Sequence, residues 1–194
     1  YVKLRTRFKN IKVQGEGYMK LYVTRHGQSE WNYENKVCGI SDINLTEKGI
    51  EQAKELAAKL ENYNIDIIIS SPLRRARKTA EIISSTIGKD IIIDNRLFEQ
   101  NFGVYEGGSR DSLNFKESKK QFTYKPSGGE SLFQVAHRVY NLIEEIKEKY
   151  PDKTILLVGH GSVSRIINTY FDDISNEEFY RFNLGNCELK EYNI

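Results

Sequence analysis

A chain of 194 residues and 22.5 kDa is long enough to bury one sizeable core and short for two, and its 39% apolar and 29% charged residues, with 12 Tyr and 9 Phe, exclude wholesale disorder and collagen-like repeats. No apolar run nears the roughly 20 residues of a membrane span, the N-terminus lacks the apolar block of a secretory signal, and the two cysteines, Cys38 and Cys187, show no CxxC spacing. The expectation is a soluble cytoplasmic protein with free thiols and no membrane partner.

The formal net charge of +2 is uneven, because Lys3, Arg5, Arg7, Lys9 and Lys12 face only Glu16 in residues 1–18, which leaves the remainder net acidic. A nucleic-acid reader would carry its positive charge as a face of the folded domain, so no nucleic-acid partner is expected. Residues 1–18 lack strand or helix periodicity, and Met19 directly precedes the first convincing strand. Residues 1–18 are therefore expected to be a disordered or non-native tail, and residues 19–194 the folded domain.

Short apolar runs then alternate with amphipathic stretches. Leu21–Val23 reads as a strand, and Thr46 caps a helix whose buried face is Ile50, Ala53, Leu56, Ala57 and Leu60. A strand is predicted at Ile65–Ile69, followed by Ser71 as N-cap with Pro72 at the first helical position, and Ala76, Ala80, Ile83 and Ile87 on one face. Ile91–Ile93 reads as a strand, and Arg96 to about Gly129 as a long irregular excursion. A long helix follows, with Leu132, Val135, Ala136, Val139, Leu142, Ile143 and Ile146 as its stripe before Pro151. Thr154–Val158 is an apolar strand, Gly159-His160-Gly161 a tight turn, Ser162–Phe171 a helix, Ser175 with Glu178 a capping box, and Cys187–Tyr192 an edge strand. The continuous apolar strands imply an α/β fold: a three-layer α/β/α sandwich with a mostly parallel central sheet, whose ligands bind beyond the carboxyl ends of the strands.

Three of those strand ends carry unusual polar residues: Thr24 to Asn32, Ser70 to Ala76, and Gly159-His160-Gly161. Two of the three histidines, His26 and His160, thereby share a rim with Arg25, Arg74 and Arg75. Imidazoles among guanidinium groups suit a phosphoryl ligand, since arginine offers a planar, permanently charged fork to its oxygens. Nearby cations should keep His26 neutral, which makes it a candidate nucleophile toward phosphorus.

These blocks resemble the histidine phosphatase superfamily, the phosphoglycerate mutase-like family. Arg25-His26-Gly27 with Trp31-Asn32 matches its RHG-x-x-x-W-N motif, and Leu45-Thr46 with Gly49 and Gln52-Ala53 matches the next landmark. Ser71-Pro72-Leu73-Arg74-Arg75-Ala76, Glu99 with Phe102-Gly103 and Glu106-Gly107, Gly128 to Ser131, and Val158 to Gly161 follow in order. The resemblance implies that His26 is the phosphorylated nucleophile, that Arg25, Arg75 and His160 clamp the phosphoryl oxygens, and that Glu99 is the proton donor. Asn32, Ser29 and Gly161 are placed as substrate-binding residues, and Arg74 as a solvated helix residue. Trp31 is expected in the core, and His137 at a boundary or on the surface. The activity implied is that of a phosphomonoesterase with no cofactor and no metal, acting on a small-molecule phosphate ester. A phosphoglycerate mutase is the nearest alternative and a binding module without catalysis a remoter one. Were Glu99 only a positioning residue, Glu106 would be the next candidate acid.

Overall fold

Each central strand alternates two apolar faces, and the two faces are covered by different helices. The structure, a computed structural model, describes residues 19–193, so the expected tail at 1–18 lies outside the described residues. Strands β1 (Lys20–Arg25), β2 (Ile67–Ser70), β3 (Ile91–Ile93), β4 (Thr154–Gly159) and β5 (Leu189–Asn193) form one sheet in the order β3-β2-β4-β1-β5. The first four run parallel, and β5 closes the edge antiparallel to β1. Leu21 and Val23 of β1 and Ile155 and Leu157 of β4 face α5 (Leu132–Lys149) and α6 (Gly161–Phe171) in one core. Tyr22, Leu156 and Val158 face the other way, toward α2 (Glu47–Leu60) and α3 (Arg74–Ile87). This is the expected three-layer α/β/α sandwich. Short helices α1 (Glu30–Tyr33), α4 (Leu113–Ser118) and α7 (Asn176–Arg181) decorate the strand-end side and the surface.

Local capping follows the sequence at two helices and departs from it at a third. Thr46 Oγ1 accepts from Gly49 N at 3.1 Å, and Ser175 with Glu178 makes a reciprocal capping box. Helix α3, however, starts at Arg74 rather than at Pro72, with Leu73 at the cap position and no side-chain cap of its own. Asp42, from a distant loop, supplies it: Oδ1 accepts from Arg74 N at 2.7 Å and Oδ2 pairs with Arg74 Nε at 3.1 Å. Ser71 Oγ keeps a long local bond, accepting from Leu73 N at 3.4 Å, while it also lies 2.8 Å from His160 Nε2. Arg74 is solvated, as expected, with its side chain 66% exposed.

Trp31 differs from expectation. It is half-buried on α1, its ring 3.3 Å from where a Cβ on Gly107 would stand, because α1 lies over the excursion rather than in the sheet core. His137 is exposed, and the excursion contains two 3₁₀ turns (Asn95–Leu97 and Gly103–Tyr105) and α4. Cys38 and Cys187 are free thiols. No helix among the described residues is long and apolar enough to cross a membrane.

The turn after β1 is pressed onto the start of α2. A Cβ on Gly49 would stand 2.1 Å from Gln28 O, and one on Gly27 2.2 Å from Gly49 O, so backbone meets backbone with no flexible side chain to yield. Gly49→Ala should therefore lower unfolding stability by about 1–3 kcal/mol, the usual cost of overpacking, read as a fall in the urea midpoint at constant m-value. An unchanged midpoint would mean that the turn and helix separate freely.

Candidate active site

In the parallel order β2-β4-β1, three adjacent strands deliver their carboxyl ends to one rim, and the polar residues singled out above meet there. His26 leaves β1 with its N–H on Gly159 O of β4 at 3.1 Å and its carbonyl held by Asn186 Nδ2 at 2.7 Å. Its ring is 3% exposed. Nδ1 lies 2.7 Å from Gly27 O, which can only accept, so Nδ1 carries the proton and Nε2 keeps its lone pair. Burial first, then the Arg75 and Arg25 charges, hold the imidazole well below its ordinary pKa. His26 is neutral near pH 7, as the sequence implied.

Arg75, on the first turn of α3, is fully buried. Its Nε donates to His26 Nε2 at 3.2 Å, Nη1 to Ser41 O at 2.7 Å and Nη2 to Gly39 O at 2.6 Å. His160 caps the start of α6, its ring centroid 5.1 Å from that of His26. His160 Nε2 lies 2.8 Å from Ser71 Oγ, which also accepts from Leu73 N at 3.4 Å, and His160 Nδ1 is buried without a partner. Burial, then Arg75, push His160 well below the ordinary imidazole pKa as well.

Glu99 is 6% exposed and follows the first 3₁₀ turn. Its carboxylate accepts from Gln100 N at 2.8 Å and from Ser162 N at 3.1 Å, at the opening of α6. The segment that carries it is fixed from behind: Arg138 pairs bidentately with Glu130 at 2.9 and 3.0 Å and donates to the carbonyls of Arg96 and Glu99. Glu99, Arg25 and Gly161 share the wall of a cavity of about 190 Å³. Arg25 and Gly161 are the chain neighbours of His26 and His160, neither of which lines the cavity itself. Arg25 Nε is buried without a partner, and burial beside Arg110 brings its pKa down to about 10.

Ser29 and Asn32 occupy a different place. Ser29 is fully buried, its Oγ accepting from Asn32 N at 3.3 Å while Asn32 Oδ1 accepts from Ser29 N at 3.2 Å and Asn186 Nδ2 at 3.3 Å. The pair caps α1 and docks Asn186, which in turn holds the His26 carbonyl. Their recorded bonds are with the chain itself.

Four further cations line the cavity, Arg110, Lys116, Lys119 and Arg165, none of them part of the motifs above. Arg110 Nε is anchored on Lys36 O at 2.8 Å and Arg165 Nε on Phe182 O at 2.7 Å, so the rest of each guanidinium lines the cavity. Burial, then Arg165, pushes the Lys119 ammonium down to about 8. The available signal for Arg165 was its helical spacing, one turn after Gly161 on the same face of α6. Lys119 and Arg110 had none, since they reach the cavity through the irregular excursion.

The comparisons with known proteins agree with this geometry. The family model described as the histidine phosphatase superfamily (branch 1) matches residues 21–194. A curated Escherichia coli O1:K1 protein named "Probable phosphoglycerate mutase GpmB" is 39% identical over 179 residues, covering 88% of this chain and 83% of that protein. Among solved structures, a phosphoserine phosphatase from Entamoeba histolytica in complex with 3-phosphoglyceric acid is 31% identical with a TM-score of 0.78, covering 89% of each chain. A mycobacterial glucosyl-3-phosphoglycerate phosphatase in complex with VO3 is 27% identical with a TM-score of 0.82, covering 89% of this chain and 90% of that one. The chain is therefore an enzyme of the histidine phosphatase superfamily.

Proposed function

We propose that the protein is a metal-independent phosphomonoesterase that works through a phosphohistidine on His26, with a small phosphate ester bearing a second anionic group as substrate. The observation that carries this reading is the pair of unpartnered buried nitrogens. Among the described residues, Arg25 Nε and His160 Nδ1 are the buried side-chain polar atoms without a hydrogen-bond partner; the His160 ring centroid is 5.1 Å from that of His26, and Arg25 is the residue before it. With the His160 proton on Nδ1 both are buried donors, whose cost in free energy an anion's oxygens would return.

In the first half-reaction His26 Nε2 attacks phosphorus and the ester P–O bond breaks, while a proton from Glu99 goes to the leaving oxygen. Arg25, Arg75 and His160 stabilise the charge on the equatorial oxygens. The Arg75 Nε–H, which rests on the His26 lone pair, moves to a phosphoryl oxygen as that lone pair is committed. Water then attacks, Glu99 takes its proton, the P–N bond breaks and inorganic phosphate leaves. Fixed guanidinium groups supply here the positive charge that a magnesium ion supplies elsewhere.

The second anion is supported by the far wall. Arg110, Lys116, Lys119 and Arg165 line a small cavity in which Glu99 is the one carboxylate, an arrangement that calls for negative charge beyond the transferred phosphoryl group. The related enzymes are named as phosphatases of phosphoserine and of glucosyl-3-phosphoglycerate, esters that carry a carboxylate. A mutase reading is favoured by the name of the Escherichia coli relative. Against it, Glu99 to Glu130 is short and lacks the arginine pair that the family's mutases place there.

Rapid quenching during turnover should trap acid-labile, base-stable phosphate on His26, and His26→Ala should lose both label and turnover. Label on a serine would refute the mechanism. Coupled assays for free phosphate and for isomerised ester separate hydrolase from mutase.

Glu99→Gln should cost about 10²–10⁴-fold on alkyl phosphates, whose alkoxide leaves badly without a proton. With nitrophenyl phosphate, which needs no such help, the variant should release a burst near one equivalent and then stall for want of the base. Equal slowing of both esters with no burst would make Glu99 a positioning residue.

Glycerol 3-phosphate and 3-phosphoglycerate differ in a hydroxymethyl against a carboxylate. The carboxylated ester should be preferred at least about tenfold in kcat/KM, since a charge-assisted hydrogen bond contributes about 1.5–3 kcal/mol, and Arg165→Met should reduce that ratio. Lys119, which faces Arg110, Arg165, Arg25 and Glu99, holds its charge below about 8 and loses it above. The preference should therefore be full at pH 7 and decline as pH rises past 8, and a flat ratio from pH 6 to 10 would exclude Lys119 from the anion site.

A further inference from the structure

Glu106 makes more recorded contacts than any role as an acid would allow. Its two carboxylate oxygens accept from Gly39 N at 3.0 Å, Ile40 N at 3.2 Å, Ser41 N at 3.4 Å, Ser41 Oγ at 2.6 Å and Phe102 N at 3.1 Å. Two oxygens offer about four lone-pair sites, so five donors leave none with which to exchange a proton with substrate. The expectation that Glu106 stands in reserve as the general acid is therefore overturned.

What those bonds hold is the loop that holds Arg75. The carbonyls of Gly39 and Ser41 accept from the two Arg75 Nη atoms at 2.6 and 2.7 Å. A single peptide unit spans the two charges, since the link from Gly39 to Ile40 has its N–H on Glu106 and its C=O on Arg75. The loop is packed so closely there that only glycine fits, since a Cβ on Gly39 would lie 2.1 Å from Glu106 Oε1 and 2.3 Å from Gln100 O. All three acceptors recorded for the buried guanidinium are uncharged: two carbonyls and the neutral His26 ring.

We infer that Glu106 is a positioning residue for Arg75, aligning the Gly39–Ile40 peptide dipole so that the guanidinium is held by a carboxylate it never touches. The inference rests on the assignment of Arg75 to the phosphoryl pocket. It explains how a fully buried cation can be neutralised without a salt bridge. A carboxylate in direct contact would fill the fork and compete with the phosphoryl oxygens, whereas carbonyls polarised from behind steady Arg75 and leave its charge open to an incoming anion. Through Phe102 N the same carboxylate also ties the Arg75 loop to the segment that carries Glu99.

The test is a double-mutant cycle with two readouts, kcat on nitrophenyl phosphate and calorimetric affinity for inorganic phosphate. Arg75→Ala should cost roughly two to four orders of magnitude in kcat, as removal of a charge aimed at the transferring group does. Glu106→Gln puts an amide among N–H donors and should cost about 10–100-fold in both readouts in the otherwise native protein, and less than about threefold on the Arg75→Ala background. Losses that multiply across the cycle would overturn the inference and make Glu106 act through Phe102 and Glu99 instead. Should Glu106→Gln fail to fold, Ser41→Ala removes one of the five bonds and leaves the Arg75 acceptors in place. Its loss of about three- to tenfold should likewise disappear on the Arg75→Ala background, and persistence would overturn the inference. A ligand-free readout separates this from the phosphatase assignment: the Arg75 Nε–H resonance, sharpened by its bond to His26 Nε2, should broaden or vanish in Glu106→Gln. Its survival unshifted overturns the positioning role whether or not the protein hydrolyses any ester. Its loss in a protein that neither binds phosphate nor turns over upholds the positioning role and removes the proposed function.

Discussion

The structure around the strand ends depends on one constraint, the burial of the Arg75 guanidinium without a carboxylate beside it. Removing a charge from water costs several kcal/mol unless its environment is polar and well aligned. Here the return comes from two loop carbonyls and an imidazole lone pair. That choice of partners has a consequence for each of them. The loop must be fixed, which Glu106 does. The imidazole must be neutral with Nε2 bare, which the Gly27 carbonyl enforces by taking the Nδ1 proton. The His26 tautomer and the stability of the buried cation are thus parts of the same arrangement.

The sheet explains why so few residues are needed to assemble it. Parallel strands in the order β2-β4-β1 end side by side, so Ser71, Gly159 and His26 are brought together by backbone bonds alone, with Ser71 N on Val158 O and His26 N on Gly159 O. The glycine after His26 then lets α2 approach to van der Waals contact with the turn, which no larger residue permits. Helix α6 opens on the same rim and contributes His160 at its cap and the Ser162 N–H to Glu99. His26, His160 and Glu99 therefore come from three separate segments that share one architectural edge.

Legibility from sequence followed the range of the interaction. The strands, the Thr46 cap and the Ser175–Glu178 box depend on residues within a turn of one another and were readable from spacing. So were the histidines and arginines at strand ends, because a parallel sheet converts sequence position into spatial position by rule. The start of α3 was misplaced for the opposite reason: Arg74 N takes its cap from Asp42, 32 positions away, while Ser71 keeps only a 3.4 Å bond from Leu73 N. Glu106 and Arg165 show the same limit. Their partners lie 65 to 67 and 17 positions away, on loops whose paths no periodicity describes. Asn32 and Ser29 were noticed for their motif, yet their recorded bonds bind α1 and Asn186 to the back of His26, a support role invisible until the loop after α7 was placed.

On the reading proposed here, hydrolase and mutase share every step up to the phosphohistidine, so the residues around His26 cannot decide between them. What decides is the time the dephosphorylated alcohol spends in the cavity relative to the arrival of water at phosphorus. That residence is set at the far wall, by Arg110, Lys119 and Arg165, and each of these is anchored differently. Arg110 and Arg165 are each pinned by a backbone carbonyl, whereas Lys119 rides on the six-residue α4 with its ammonium 5.5 Å over the Phe115 ring. Two pinned guanidinium groups give the anion a fixed hold, and the Lys119 ammonium, whose charge is lost above about 8, adds one that weakens as pH rises. On this reading alkaline pH favours escape of the alcohol before the phosphoryl group can be returned to it.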